Sequence, residues 1–513
     1  MDYKNTPYFN IGRASDLSGV DRRIYRALEI MPGVITWFTL FAIFGISFMS
    51  PFLGALFIII FDLYWLLKTV YLSIYLYKNW KRTKHNITVD WKSKLSNLRY
   101  EKIMHMIILP FYNESLHVVE KGLESILECD YDNSKIIIVL ASEAKAGKIA
   151  EDVAQEAKNK FGDKFGYFLI TKHPANVPGE LAGKGSNIAY AAKTTKEEIL
   201  DINNIDYSDV IVSAFDIDTV VYPQYLNCLT WHFLTAEDPY RSSFQPVPFY
   251  NNNIWDTPAL SRVSGASSTL WQMIQQERPD KLETFSSHSV SFKTLHDIGY
   301  WQKNIVSEDS RIFWNAFLAF DGKYTVVPMS YPVSMDANLA HGFWPTILNV
   351  YKQQRRWAWG VENLPYVLFG FLKNKKIPKF KKLVFSFLMV EGAWTRSTSS
   401  ILILLLGWTP LILGGKHFNE TVLSYNLPLV TSNLMTLTMI GLILSATVSF
   451  GFLPPHPEGF GIKQKFIYVL QWFLIPIIVI VFGNVPAIDA QTRLMFGKYM
   501  GFWVTPKHRK TKC

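Results

Sequence analysis

Cysteine is nearly absent from this 513-residue chain: Cys129, Cys228 and Cys513 stand far apart, without CxxC or Cys/His ligand spacing. That pattern excludes a disulfide framework and a structural zinc site. The N-terminal segment has no short apolar core followed by small residues, so no cleaved signal peptide is expected and the first apolar run should remain as an anchor. Internal repeats and low-complexity tracts are missing, and with them any sign of a further regulatory domain. The net charge of +10 does not point to nucleic acid. Its basic clusters, Lys78, Lys81, Arg82 and Lys84, then Lys373, Lys375, Lys376, Lys379, Lys381 and Lys382, border apolar runs, as the cytosolic flanks of membrane segments do.

Long apolar runs are present at both ends. Val34 to Met49 and Phe52 to Tyr77, separated by Ser50-Pro51, predict a transmembrane hairpin with both ends inside (33–78), after a cytosolic segment (1–32). Asp62 lies within the second run, where an acid either lines a polar path or contacts another helix. Residues 361–396 read as an interfacial amphipathic segment, and 397–453 as transmembrane helices. Phe466 to Phe482 is apolar but broken by Pro476, with Pro486 just beyond. Crossing there would put the basic tail outside, so 454–513 is read as an interfacial helix followed by a C-terminal loop.

Between these ends, residues 98–360 carry the mixture of an ordinary globular domain. Lys102 to Leu109, Lys135 to Leu140, Tyr167 to Thr171 and Val210 to Phe215 read as strands. Ser115 to Leu127 places Leu116, Val119, Leu123, Ile126 and Leu127 on one helical face. Alternating elements of this kind build an α/β sheet that gathers ligands at its strand ends.

Those strand ends carry the chemistry. The first ends in Pro110-Phe111-Tyr112-Asn113-Glu114 and the second in Ala141-Ser142-Glu143, where Asn113 and Glu143 suit a nucleoside. Gly183-Lys184-Gly185-Ser186-Asn187 is a glycine-rich turn opening a helix, with free N–H groups and a lysine for a diphosphate. Ser213-Ala214-Phe215-Asp216-Ile217-Asp218 ends a strand in two acids one residue apart. Asp216 and Asp218 can both reach one divalent cation on a sugar-nucleotide diphosphate. Glu308 and Asp309 follow. Asp309 is either a general base for an acceptor hydroxyl or a helix N-cap. Gln353, Arg356 and Trp357 bring a planar cation for phosphate and an indole on which a sugar stacks. His288, Trp301 and His341 read as core or loop residues.

In their order and spacing these residues resemble the processive family 2 glycosyltransferases, the group of bacterial cellulose synthase and hyaluronan synthase, whose signature is D, DxD, [ST]ED and QxxRW. The resemblance spans about Arg99 to Lys507. It implies a GT-A catalytic domain, an α/β Rossmann-like mixed sheet, inserted between transmembrane α-helices. It also places Lys184 and Asn187 near the nucleotide, and matches Phe502-Trp503-Val504-Thr505-Pro506-Lys507 to a gating loop in which Thr505 and Lys507 cover it. Glu143 departs from the family, which has Asp there. The membrane helices and cyclic-dinucleotide-binding domain that cellulose synthase carries beyond its gating loop are not in this sequence, so neither that regulation nor a complete single-chain pore is expected.

The expected activity is inverting transfer of a sugar from a nucleotide-sugar, a UDP-sugar above others, to a growing β-linked polysaccharide, with Mg2+ or Mn2+ as cofactor. In this scheme Asp309 and Glu308 are catalytic, and Asp218 and Asp216 hold the metal. Asn113, Glu143, Lys184, Asn187, Asp216, Arg356, Thr505 and Lys507 hold the donor, and Gln353 and Trp357 the acceptor. Two rivals are a single transfer to a membrane lipid and a catalytically silent scaffold or glycan-binding subunit. The expected location is the plasma (cytoplasmic) membrane, with the catalytic domain cytosolic and a partner membrane or export subunit left open.

Overall fold

The computed structural model describes residues 8–505. Apolar sequence becomes long helix: Gly19–Met49 and Pro51–Thr88 are joined at the single residue Ser50, and Pro51 takes the first helical position, where its missing N–H costs nothing. Among the described residues four helices are long and apolar enough to cross a membrane, these two plus Val422–Phe450 and Ile462–Met495. Lys379–Leu404 with Leu406–Leu413 passes the same test as a pair bent by 55°. Hydroxyls join the helices where lipid offers no partner: Thr36 Oγ1 to Ser397 Oγ at 2.7 Å and Ser47 Oγ to Thr409 Oγ1 at 3.0 Å. Gly441 lets two helices touch, since a Cβ there would lie 2.7 Å from Thr69 Cγ2. Asp62 is buried beside Thr431 and does not line the large cavity of the molecule.

The domain between them is built on an eight-stranded mixed sheet in the order β3-β2-β1-β4-β7-β6-β8-β5. Its strands are β1 (Met104–Pro110), β2 (Ile136–Glu143), β3 (Tyr167–His173), β4 (Val210–Ala214), β5 (Val220–Val221), β6 (Ser242–Tyr250), β7 (Ser289–Ser291) and β8 (Thr325–Met335). The first four are parallel neighbours, and β7 runs antiparallel between β4 and β6. Along β1, Met106 and Ile108 enter one core while Ile107 and Leu109 enter the other, so the sheet is buried on both faces. The α/β domain among apolar helices is thus the fold class expected from sequence.

In the segment 361–396, the helix Asn363–Lys373 turns Tyr366, Val367, Phe369 and Phe371 into the core beneath the sheet. The boundary expected between 396 and 397 falls inside the continuous helix Lys379–Leu404. The apolar face of 363–373 fills a protein groove, an arrangement that periodicity alone does not distinguish from a face turned to lipid.

Both ends of the first hairpin meet the α/β domain. Arg311 Nη1 donates to Ile11 O at 3.1 Å, and Asn79 Nδ2 donates to Ser330 Oγ at 2.9 Å. Ile462–Met495 touches that domain along its length. Tyr468 stacks near Trp255, Arg262 Nε donates to Gln471 Oε1 at 2.9 Å, and Arg355 pairs with Asp489 at 2.9 Å.

Candidate active site

The C-terminal ends of β1, β2 and β4 open into one cavity of about 800 Å³. Asp216 and Asp218 follow β4, and Glu308 and Asp309 begin the helix Glu308–Ala319. Ser307, not Asp309, holds the cap position of that helix, which frees the Asp309 carboxylate to face the cavity. Asp218 and Asp309 therefore share one void.

Lys184, the first residue of the helix Lys184–Thr195, ties these acids together. Its Nζ lies 2.7 Å from Asp216 Oδ1, 3.0 Å from both oxygens of Asp309 and 3.9 Å from Glu308 Oε1. Burial alone would lower the pKa of this ammonium, but Asp216, Asp309 and Glu308 together hold it well above its ordinary value. Glu308 is pushed up by burial and by the Asp309 charge. Ser286 Oγ donates to Asp216 Oδ2 at 2.8 Å. The fully buried Asp218 accepts from the Asp336 N–H at 2.9 Å.

Two hard carboxylates here fit Mg2+ or Mn2+, which use one or two protein acids and complete their shell with substrate phosphates and water. Among the described residues no three His, Cys, Asp or Glu side chains form a metal site on their own, so substrate oxygens would supply the remaining ligands.

One wall of the cavity is aromatic. Trp357 packs against Tyr250 and Phe285, with ring centroids 5.7 and 6.3 Å away, and Gln353 lines the cavity beside it. Arg356 sits over the Phe502 ring at 5.1 Å. Phe502 closes on Gly183, whose φ of 154° and bare Cα allow the approach: a Cβ would lie 2.5 Å from Phe502 Cγ. Thr505 also reaches the cavity, whereas Lys507 lies outside the described residues.

Glu143 lines the cavity at the end of β2, its pKa raised by burial. Asn187 lines it too and donates Nδ2 to Ala141 O at 2.7 Å. Asn113 is the exception: it is exposed and does not line the cavity. Glu114 does, folding back to accept the N–H groups of Tyr112 and Asn113 at 2.8 and 3.1 Å.

The sequence reading set His288 and Trp301 aside as core or loop residues and did not single out Ser286. His288 Nδ1 donates to Phe285 O at 2.9 Å and lies 3.7 Å from Asp309 Oδ1, and Trp301 Nε1 donates to His288 Nε2 at 3.2 Å. Burial holds this imidazole below its ordinary pKa, so it stays neutral behind Asp309. These residues lie in and around a short polar strand with no periodic signal to mark it.

Glu283 lines the same cavity, and its carboxylate accepts from Trp314 Nε1 at 3.1 Å. Burial pushes it up to about 7, against the effect of that bond. The folded protein keeps a proton there that the unfolded chain has lost, so this group's contribution to stability falls as pH rises from about 4.5 to about 7. Glu283→Gln should therefore melt above wild type at alkaline pH, with the gap closing toward about pH 4. Superimposable melting curves at both ends of that range would refute this.

The family model described as Glycosyl transferase family group 2 matches residues 211–482. The poly-β-1,6-N-acetyl-D-glucosamine synthase of Staphylococcus epidermidis is 24% identical over 338 residues, covering 66% of this chain and 72% of the relative. The synthase of that name from strain RP62A is 23% identical over the same shares. Among solved structures, the mannosyltransferase PcManGT from Pyrobaculum calidifontis, in complex with GDP-Man and Mn2+, is similar at 14% identity and a TM-score of 0.40, over 86% of this chain and 100% of that one. S. aureus TarS 1-349 in complex with UDP-GlcNAc aligns at 11% identity and a TM-score of 0.34, over 68% and 91%.

Proposed function

This chain belongs to glycosyl transferase family group 2, and from that premise we propose that it is an inverting enzyme extending a β-linked polysaccharide from a UDP-sugar, with its catalytic domain in the cytosol. The observation that carries the reading is the convergence of Asp216, Asp218, Lys184 and Asp309, distant in sequence, on one cavity. Similarity to a polysaccharide synthase supports a polymeric product. The basic clusters beside the catalytic domain support a cytosolic face. The contacts that Ile462–Met495 makes with that domain support its lying along the membrane surface.

Asp309 takes the proton from the acceptor hydroxyl as that oxygen attacks the anomeric carbon. The nucleoside diphosphate leaves from the opposite face, so an α-linked donor yields a β linkage. Trp357 stacks the terminal sugar of the acceptor and orients its hydroxyl. Lys184 and Arg356 stand where negative charge accumulates on the leaving group. Asp218 and Asp216 would hold Mg2+ or Mn2+, which supplies further charge neutralisation to the diphosphate. His288, bonded on both sides, fixes the wall behind Asp309.

Incubation with radiolabelled UDP-glucose, UDP-GlcNAc and GDP-mannose should give label transfer from a UDP-sugar. EDTA should abolish it, and Mg2+ or Mn2+ should restore it. A ladder of products supports polymerisation, and a single sugar on lipid supports the rival that the apolar wall at Phe385, Leu388 and Met389 favours. Absence of nucleotide release from every donor would refute both.

A further inference from the structure

The C-terminal stretch that reaches the cavity is fixed at its tip and at its base by different parts of the chain. At the tip, Phe502, Trp503, Val504 and Thr505 line the void that also holds Lys184 and Asp216. Phe502 is wedged against Gly183, next to Lys184, with the Arg356 guanidinium 5.1 Å from its ring centroid. The base is Tyr499, which packs against the apolar cluster of Trp359 and Leu494 and does not line the cavity. Its hydroxyl donates to the carboxylate of Glu29, whose two oxygens lie 3.0 and 2.9 Å away.

Glu29 belongs to the first long helix, is 1% exposed and lies outside the cavity wall. A carboxylate taken out of water is costly unless donors fill its lone pairs, and here three elements supply them. Besides Tyr499, the Ala14 N–H donates to Oε1 at 3.0 Å and Arg26 Nη1 to Oε2 at 2.6 Å. Arg26 also donates Nη1 to Leu494 O at 2.9 Å and Nη2 to Met495 O, and so holds the end of the helix from which the stretch departs. Residues 498–505 carry no helix or strand. Their place therefore rests on side-chain contacts at the two ends rather than on a backbone ladder.

On the glycosyltransferase reading above, we propose that Glu29 is a positioning residue for the donor: acting through the Tyr499 hydroxyl, it holds residues 502–505 in place as one wall of the nucleotide pocket. A wall that is in place only part of the time lowers the apparent affinity of the ligand it touches by that fraction. Glu29 thus sets how tightly the nucleotide is held while touching neither nucleotide nor metal.

The test uses the full chain in lipid nanodiscs, with UDP affinity measured by calorimetry and sugar transfer on the same samples. Tyr499→Phe keeps the ring and removes only the donor. It should weaken UDP binding about tenfold, as loss of a hydrogen bond to a charged acceptor implies. Transfer at saturating donor should stay within about threefold of wild type, so that the change falls on KM. Glu29→Gln should act in the same direction. Trp37→Phe is the control. It breaks the 2.9 Å bond from Trp37 Nε1 to Thr492 Oγ1, which joins the same two helices about two turns further along the first, and should leave UDP affinity unchanged. In a Phe502→Ala background, where the tip has lost its packing, Tyr499→Phe should add less than twofold. Unchanged UDP affinity in Tyr499→Phe would overturn the proposal by reducing Glu29 to a bolt between helices. An equal loss in Trp37→Phe would overturn it too, as would a full tenfold effect on top of Phe502→Ala. Wild type that binds no nucleotide at all would instead overturn the donor site on which the proposal rests.

Discussion

Asp309→Asn is expected to lower sugar transfer by about 10²- to 10⁴-fold, the range lost when a positioned general base is removed. The substitution keeps the shape of the side chain, and Lys184 retains Asp216 at 2.7 Å and Glu308 at 3.9 Å. Donor binding should therefore survive, and the loss should fall on turnover at saturating donor. The contrast with Glu308 is informative: that acid is buried, whereas the Asp309 side chain is 23% exposed to the cavity and so open to an incoming hydroxyl. Initial rates with labelled donor, alongside nucleotide titration calorimetry, decide the matter. Transfer within threefold of wild type would remove Asp309 from the role of base.

The second large effect concerns Arg311, one turn along the same helix and wholly buried. Its Nε donates to Asn363 Oδ1 at 2.6 Å. Nη1 donates to Ile11 O at 3.1 Å and Gln302 Oε1 at 2.9 Å, and Nη2 to Glu362 O at 3.2 Å. The guanidinium also lies 3.9 Å from the Tyr366 ring centroid. Glu362 in turn accepts the N–H groups of Val306 and Ser307 at 3.1 and 2.8 Å, which sets the turn that presents Glu308 and Asp309. Replacing Arg311 with Leu strands several buried neutral acceptors and should cost about 3–5 kcal/mol in all, given about 1–3 kcal/mol for each buried group left unsatisfied. At roughly 2–4 °C per kcal/mol, the apparent melting temperature should fall by about 10 °C. Fluorescence-detected thermal unfolding in detergent measures this, and an unshifted curve would show that the network does not hold the domain together.

Legibility in the sequence followed the local signal. β1, β2 and β4 were readable because each is an apolar run buried on both faces and followed by a turn, and β3, a half-buried edge strand, because of its own short apolar run. β6 and β8 were not. Pro246, Pro248, Pro328 and Pro332 lie inside them, and proline argues against a ladder strand unless an irregularity absorbs it, as the register shift between Gln245 and Val247 does. The acidic motifs stood out because acids at strand and helix ends contrast with apolar flanks. Ser286 and His288 gave no contrast, and only tertiary structure brings them to Asp216 and Asp309. Asn113 shows the converse: a polar residue in a promising turn, directed to solvent because Glu114 caps the turn instead.

The N-terminal strand of chain around Phe9 and Ile11 enters the same core as β1 and β4, together with Tyr25 of the first long helix. Anchor and catalyst are therefore not modular. A fragment cut to residues 98–360 would carry an open apolar scar and lose the Ile11 carbonyl that Arg311 binds. Solubilising this enzyme means keeping its hairpin, and any protease that clips the leading segment disables the active-site turn from a distance.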